Sequence, residues 1–170
     1  MSKFYINSTL LFLFLLTMVS YAQNYTNLDG NYTLEIPKSW HVISSRLQPY
    51  DVMLTEKLTD ASDNIIISTL GAGVPDDVYE RRETLVAKLL ETQPGFKATN
   101  VQQVSVKGAS MDLLIEGTMP SATGSMQYLA SYYFTMNDFA YTVGIISSAD
   151  NAKAAKDLVD EMLLTFRVYL

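Results

Sequence analysis

Residues 126–147 read MQYLASYYFTMNDFAYTVGIIS, two alternating runs joined by an Asn-Asp pair. Met126, Tyr128, Ala130, Tyr132 and Phe134 share one face of the first run, and Phe139, Tyr141, Val143 and Ile145 share one face of the second. A period of two places such residues on one side of an extended strand. Asn137-Asp138 suits the left-handed backbone of a two-residue hairpin turn. The stretch is therefore an antiparallel hairpin with a dense aromatic face that something must cover. Tyr133 points away from Tyr128 and Tyr132.

Downstream, Ala155, Leu158, Val159, Met162, Leu163 and Phe166 recur at helical spacing, with Asp157, Asp160 and Glu161 on the wet side. Ser148 or Asp150 stands where a cap belongs. Residues 167–170 form either a short closing strand or a tail. Upstream, residues 99–106 and 111–116 read as strands, Gly108 turns the chain between them, and residues 117–124 read as a loop rich in Gly, Ser, Thr and Pro. Pro75 opens an earlier helix, with Asp76 and Asp77 in its first turn. Val78, Leu85 and Leu89, widened by Val86 and Leu90, form its apolar face, while Glu80, Glu83, Lys88 and Glu91 fall away from it. Pro94-Gly95 stops it near Gln93. Four further strands precede that helix, at 32–36, 40–45, 51–57 and 65–70, with breaks at Pro37-Lys38-Ser39, Pro49 and residues 59–64. The expected order is four strands, a helix, four strands and a helix, a topological repeat without a repeat in sequence. This predicts an α+β fold, a mainly antiparallel sheet packed by helices.

The chain of 170 residues has no cysteine, which excludes disulfides, zinc–thiolate sites, iron–sulfur clusters and thiol catalysis. Residues 1–22 read as a signal peptide. Lys3 supplies the positive end, an apolar run from Leu10 reaches Val19, and Ser20-Tyr21-Ala22 places small residues before a cut at Ala22–Gln23. That run is shorter than the roughly 20 residues of a spanning helix, and no later segment is apolar enough to span a membrane. Residues 23–170 are then expected to form a single domain, exported to the periplasm or beyond. A domain of this length buries roughly 70% of its unfolded surface and holds together by its core alone. The net charge of −6 becomes −7 once Lys3 is removed. That balance disfavours nucleic acid and anionic membrane surfaces as partners.

Gly30-Asn31-Tyr32-Thr33-Leu34-Glu35-Ile36-Pro37-Lys38-Ser39-Trp40 resembles the opening hairpin of PsbP-like proteins, where an alternating strand runs into Ile-Pro and a tryptophan follows shortly after. Ser39 stands where glycine is usual. The later order agrees: a Gly-led strand from Gly108, a Tyr-rich strand, Phe139-Ala140-Tyr141-Thr142-Val143, and a helix ending in Leu163-Leu164-Thr165-Phe166. The resemblance covers about residues 28–167. It implies the PsbP-like α-β-α sandwich shared with DcrB-like envelope proteins, with Pro37 and Trp40 as hairpin anchors. It also implies binding or assembly rather than catalysis, with no cofactor. The expected function is thus that of an exported, non-enzymatic binding or accessory protein of the bacterial cell envelope, with an envelope protein as partner. The alternatives are a small-ligand or lipid binder with a pocket between helix and sheet and, further off, a carboxylate-based hydrolase.

No residue set carries a catalytic, cofactor or metal assignment. His41, the lone histidine, has no nucleophile motif beside it and reads as a strand residue flanking Trp40. Asp60-Ala61-Ser62-Asp63-Asn64 groups oxygen donors but lacks the glycine and terminal glutamate of a calcium loop, and reads as a turn. Asp76, Asp77, Glu80 and Glu83 complement a helix dipole on a solvated face. Gly71-Ala72-Gly73 precedes a helix without completing a nucleotide fingerprint. The aromatic hairpin is the functional lead. Tyr128, Tyr132, Tyr133 and Tyr141 are its candidate partner-binding residues, because tyrosine offers large contact area at low entropy cost. The competing reading is ordinary core pairing across the strands.

Overall fold

A computed structural model describes residues 22–43, 52–56, 64–72 and 81–169. The aromatic hairpin is at its centre. Strand β8 (Met126–Met136) pairs antiparallel with β9 (Phe139–Ser148). Asn137 and Asp138 both take positive φ, at 50° and 65°, as the turn requires. Around this pair lie β3 (His41–Ile43), β4 (Val52–Thr55), β5 (Asn64–Ala72), β6 (Lys97–Gln103) and β7 (Ser110–Pro120). They form a seven-stranded sheet in the order β3-β4-β5-β9-β8-β7-β6, antiparallel at every pairing. Three strands make a smaller sheet: β1 (Ala22–Asn27), β2 (Tyr32–Pro37) and β10 (Arg167–Val168), with β2 in the middle. The helices are α1 (Arg82–Thr92) and α2 (Ala152–Thr165), the latter entered through a short 3-10 turn, Ala149–Asn151.

Each helix covers one face of the large sheet. Ala155, Val159, Met162 and Leu163 of α2 are buried, and Phe166 closes the helix onto a ring cluster. The Phe166 ring lies 5.1 Å from Tyr32, 5.2 Å from Phe134 and 5.1 Å from Tyr141. Tyr32, Leu34 and Ile36 of β2 join this main core, so the small sheet shares the α2 side. The opposite face holds a smaller core of Leu89, Phe96, Leu113, Ile115, Met119 and Leu129 under α1. With both faces covered, β8 is buried on both sides along most of its length. This is the expected α+β sandwich.

Several sequence expectations shift. Ala22–Asn27 is a strand with no apolar alternation in its sequence, because AQNYTN carries a single large apolar side chain. Among the described residues five strands therefore precede α1, and the expected repeat of two four-strand halves does not hold. Gly117–Pro120 belongs to β7 rather than to a loop. A Cβ on Gly117 would stand 2.3 Å from the Lys97 carbonyl oxygen and 2.4 Å from the Phe96 ring, so the glycine admits close packing rather than a turn. Leu90 is 51% exposed, outside the α1 apolar face. Neither Ser148 nor Asp150 caps α2; its N-cap is Asn151, without a side-chain cap bond. The opening of the first helix at Pro75, Val78 and Glu80, the turn 59–63 and Pro49 lie outside the described residues. So does the signal segment up to residue 21.

Candidate functional site

The hairpin that fixes the fold also builds the site. On the α2 side, β8 presents Tyr128, Ala130, Tyr132 and Phe134, and its neighbour β7 presents Leu114 and Glu116 opposite Tyr132 and Ala130. The helix lies over the inner strands and leaves the β7–β6 margin open. There the face turns polar. The Tyr128 hydroxyl donates to Glu116 Oε1 at 2.6 Å, and Asn100 Nδ2 on β6 donates to Glu116 Oε2 at 2.7 Å. The Tyr132 hydroxyl donates to Asp160 Oδ1 at 2.7 Å, and Lys156 Nζ holds Asp160 Oδ2 at 2.6 Å. Each carboxylate thus has both oxygens engaged. Burial, reinforced by the adjacent carboxylates, pushes both phenol groups far above their ordinary range, so they stay neutral donors.

Beside these pairs is an open cleft of ≈ 450 Å³. One wall is the chain from Gln102 to Lys107; the other is α2, through Lys156, Asp160, Glu161 and Leu164; Tyr132 also lines it. Leu164 is 58% exposed. The Gln102–Lys107 wall is anchored from behind. Val104 N–H donates to the Asp112 carbonyl oxygen at 3.2 Å, and Val106 N–H donates to Asp112 Oδ2. Asp112 is buried and its Oδ1 has no hydrogen-bond partner. Burial raises its carboxyl above the usual aspartate range, against the lowering effect of the Val106 bond.

The four sequence-predicted tyrosines do not form one surface. Tyr141 is fully buried and donates to the Gly30 carbonyl oxygen at 3.1 Å. Tyr132 and Tyr128 are buried rings whose hydroxyls reach the polar margin. Tyr133 is on the opposite face, half-buried against the smaller core beside Leu113. Burial pushes its phenol up to about 12, opposed by a hydrogen bond with the Ser131 side chain. After β2, Trp40 N–H donates to the Pro37 carbonyl oxygen at 3.0 Å, and the Trp40 ring is in the main core. Gln23 Nε2 holds the Trp40 carbonyl oxygen at 3.2 Å. His41 is exposed on β3, opposite Thr55. Among the described residues, no cluster of three His, Cys, Asp or Glu side chains stands ready for a metal ion. The α2 wall was missed because its partner groups are 28 residues apart in sequence. Asp160 on the wet side of the predicted helix was the only signal available.

No protein-family model matches the chain, and no curated protein matches it in sequence. Solved structures do. The cyanobacterial PsbP of Synechocystis sp. PCC 6803 superposes with a TM-score of 0.65 at 15% identity, covering 89% of this chain and 94% of its own. LpqN of Mycobacterium tuberculosis, described as involved in cell envelope biogenesis, gives 0.62 at 13% identity over 88% and 91%. A Pseudomonas aeruginosa protein of unknown function gives 0.51 at 13% identity over 89% and 99%. The class of fold is thereby defined as the α+β sandwich of PsbP-like and DcrB-like proteins. This chain has that fold.

Proposed function

We propose that this chain is an exported, non-catalytic binding or accessory protein of the bacterial cell envelope, and that it engages a protein partner through the cleft between residues 102–107 and α2. The observation that carries the reading is how the cleft's charges are used. Glu116 and Asp160 are each held on both oxygens by tyrosine, asparagine or lysine donors. Glu116 behind the cleft and Asp160 on its wall therefore serve as fixed scaffolding, and the lining offers an incoming group amide, hydroxyl and leucine surface flanked by the charged Lys107 and Glu161. Such a mix suits a polypeptide segment better than a reacting substrate. Export would remove residues 1–22 and leave 23–170 as one domain, with β1 shortened by Ala22 and still paired with β2 from Gln23, opposite Ile36. LpqN, of the same fold, is described as acting in cell envelope biogenesis.

The test places a photoreactive benzophenone side chain at Leu164 on the cleft, or at Leu90 on α1, in native envelopes. Illumination is followed by mass spectrometry of the cross-linked species. One enriched envelope protein from the Leu164 position, absent from the Leu90 position, is expected. Equal products from both positions, or none from either, would contradict the reading. A second reading rests on the cleft's volume, which falls in the range of small-ligand pockets. A stoichiometric small molecule in an extract of the purified protein would favour it.

A further inference from the structure

A cut between Ala22 and Gln23 makes glutamine the first residue of the exported chain. Such a residue carries its own nucleophile and its own electrophile. The α-amine reaches the side-chain amide carbon in a five-membered ring, and holding the two groups in one residue makes the attack intramolecular. The place of Gln23 in the fold suits that ring. It would be the first residue of β1, which is an edge strand of the small sheet, and both Gln23 and Asn24 are exposed. A ring that fixes φ, as proline's does, is tolerated in a sheet at an edge strand and at the first residue of a strand. The ladder contact that matters survives. Glu35 N–H turns away from β1 and donates to Thr165 Oγ1 at 2.9 Å. Successive residues of a strand point their backbone groups to opposite edges, so Ile36 turns toward β1, where Gln23 is its partner. The Gln23 carbonyl oxygen, which lies outside the ring, still accepts from Ile36 N–H after closure.

We propose that Gln23 is a modification site, closed to pyroglutamate in the exported chain; this rests on the cut proposed above. The bond from the α-nitrogen to Cδ forms, the Cδ–Nε2 bond breaks, and Nε2 leaves as ammonia with a proton given up by the α-amine. No oxidant, reductant or further reactant enters. Closure gives up the Gln23 Nε2 bond to the Trp40 carbonyl oxygen and the donor that Gln23 N–H offers β2. It removes the terminal positive charge and the free α-amine. Aminopeptidases need that amine, and trimming from an exposed end would next remove the pairings of Gln23 with Ile36 and Asn24 with Glu35. The ring thus protects the strand that covers one edge of β2.

The test uses the protein from its native envelope. Its free amines are dimethylated before digestion, so an open Gln23 is labelled and can no longer close during handling. Tandem mass spectrometry should find an N-terminal peptide that starts at residue 23, carries no label on that residue and is lighter by one ammonia. Gln23→Ala has no side-chain amide and should give the same start with the label present, which shows that the reagent reaches this position. A labelled, open Gln23 in the native chain would overturn the proposal and leave the cut standing. A peptide that starts elsewhere would overturn the cut, and the proposal with it.

Discussion

The two faces of the large sheet are covered by helices of similar length but unequal commitment. Under α2, four side chains of the helix are buried, the Phe166 ring touches three others, and the small sheet extends the core. Under α1 only Leu89 is buried, Leu85 and Val86 are half-covered, and Leu90 faces solvent. The hydroxyl groups of Thr135 and Thr142 are buried with no hydrogen-bond partner; β-strand alternation sets them on the α1 side with Tyr133. The difference teaches where rigidity is needed. The cleft is on the α2 side, so the more fully packed face holds the candidate binding surface, and the looser face supports the sheet from behind.

Truncation should expose this asymmetry most strongly. Phe166→Ala removes the ring at the centre of the aromatic cluster and should cost about 4 kcal/mol in denaturant unfolding. Leu89→Ala, at the edge of a smaller core that can relax into the space, should cost about 2 kcal/mol. Equal costs would erase the distinction between the faces. Gly117→Ala probes the α1 side from the opposite direction. The added methyl meets the Lys97 carbonyl oxygen and the Phe96 ring and should cost about 2 kcal/mol by overpacking, read from the same unfolding curves.

The hairpin and the last helix were legible because their periodicity is uninterrupted and their neighbours in space are neighbours in sequence. Strand β1 was not, since its place depends on β2 and on a Gln23 bond to a backbone 17 residues away. Gly117–Pro120 carries the composition of a loop and becomes a strand only because β8 supplies a matching ladder from Met126 to Leu129. The tyrosine alternation correctly separated Tyr133 from Tyr128 and Tyr132. Sequence gave no means of knowing that α2 would cover one set of rings while leaving their hydroxyls to meet Glu116 and Asp160 at the margin. Side chains that meet only after the sheet and helix pack leave no local pattern.

Smaller effects sharpen the picture at the cleft. Tyr132→Phe deletes the bond to Asp160, whose half-exposed carboxylate water can then solvate, so the loss should be about 1 kcal/mol in stability. The same variant should loosen the α2 wall and weaken partner cross-linking from Leu164 without affecting Leu90. Asp112→Asn should act with the opposite sign. The folded state raises the Asp112 carboxyl above its ordinary 3.8, so the folded protein holds its proton more tightly than the unfolded chain does. Its contribution is fully present below pH 3.8 and is lost as pH rises through the folded-state value. Asparagine keeps an acceptor for Val106 N–H and has no charge to bury. Thermal midpoints of variant and wild type should therefore agree most closely in acid and separate in the variant's favour toward neutrality. A constant difference across the range would show that Asp112 titrates as it does in the unfolded chain.

Residue-resolved hydrogen exchange of the native protein, followed through low concentrations of denaturant, tests the central claim that the cleft is built on the rigid half. Amides of residues 155–163 in α2 should exchange only through global unfolding. Those of residues 85–91 in α1 should exchange through a local opening at least about 2 kcal/mol less costly. Convergence of both helices on one unfolding free energy, or slower exchange in α1 than in α2, would contradict the account.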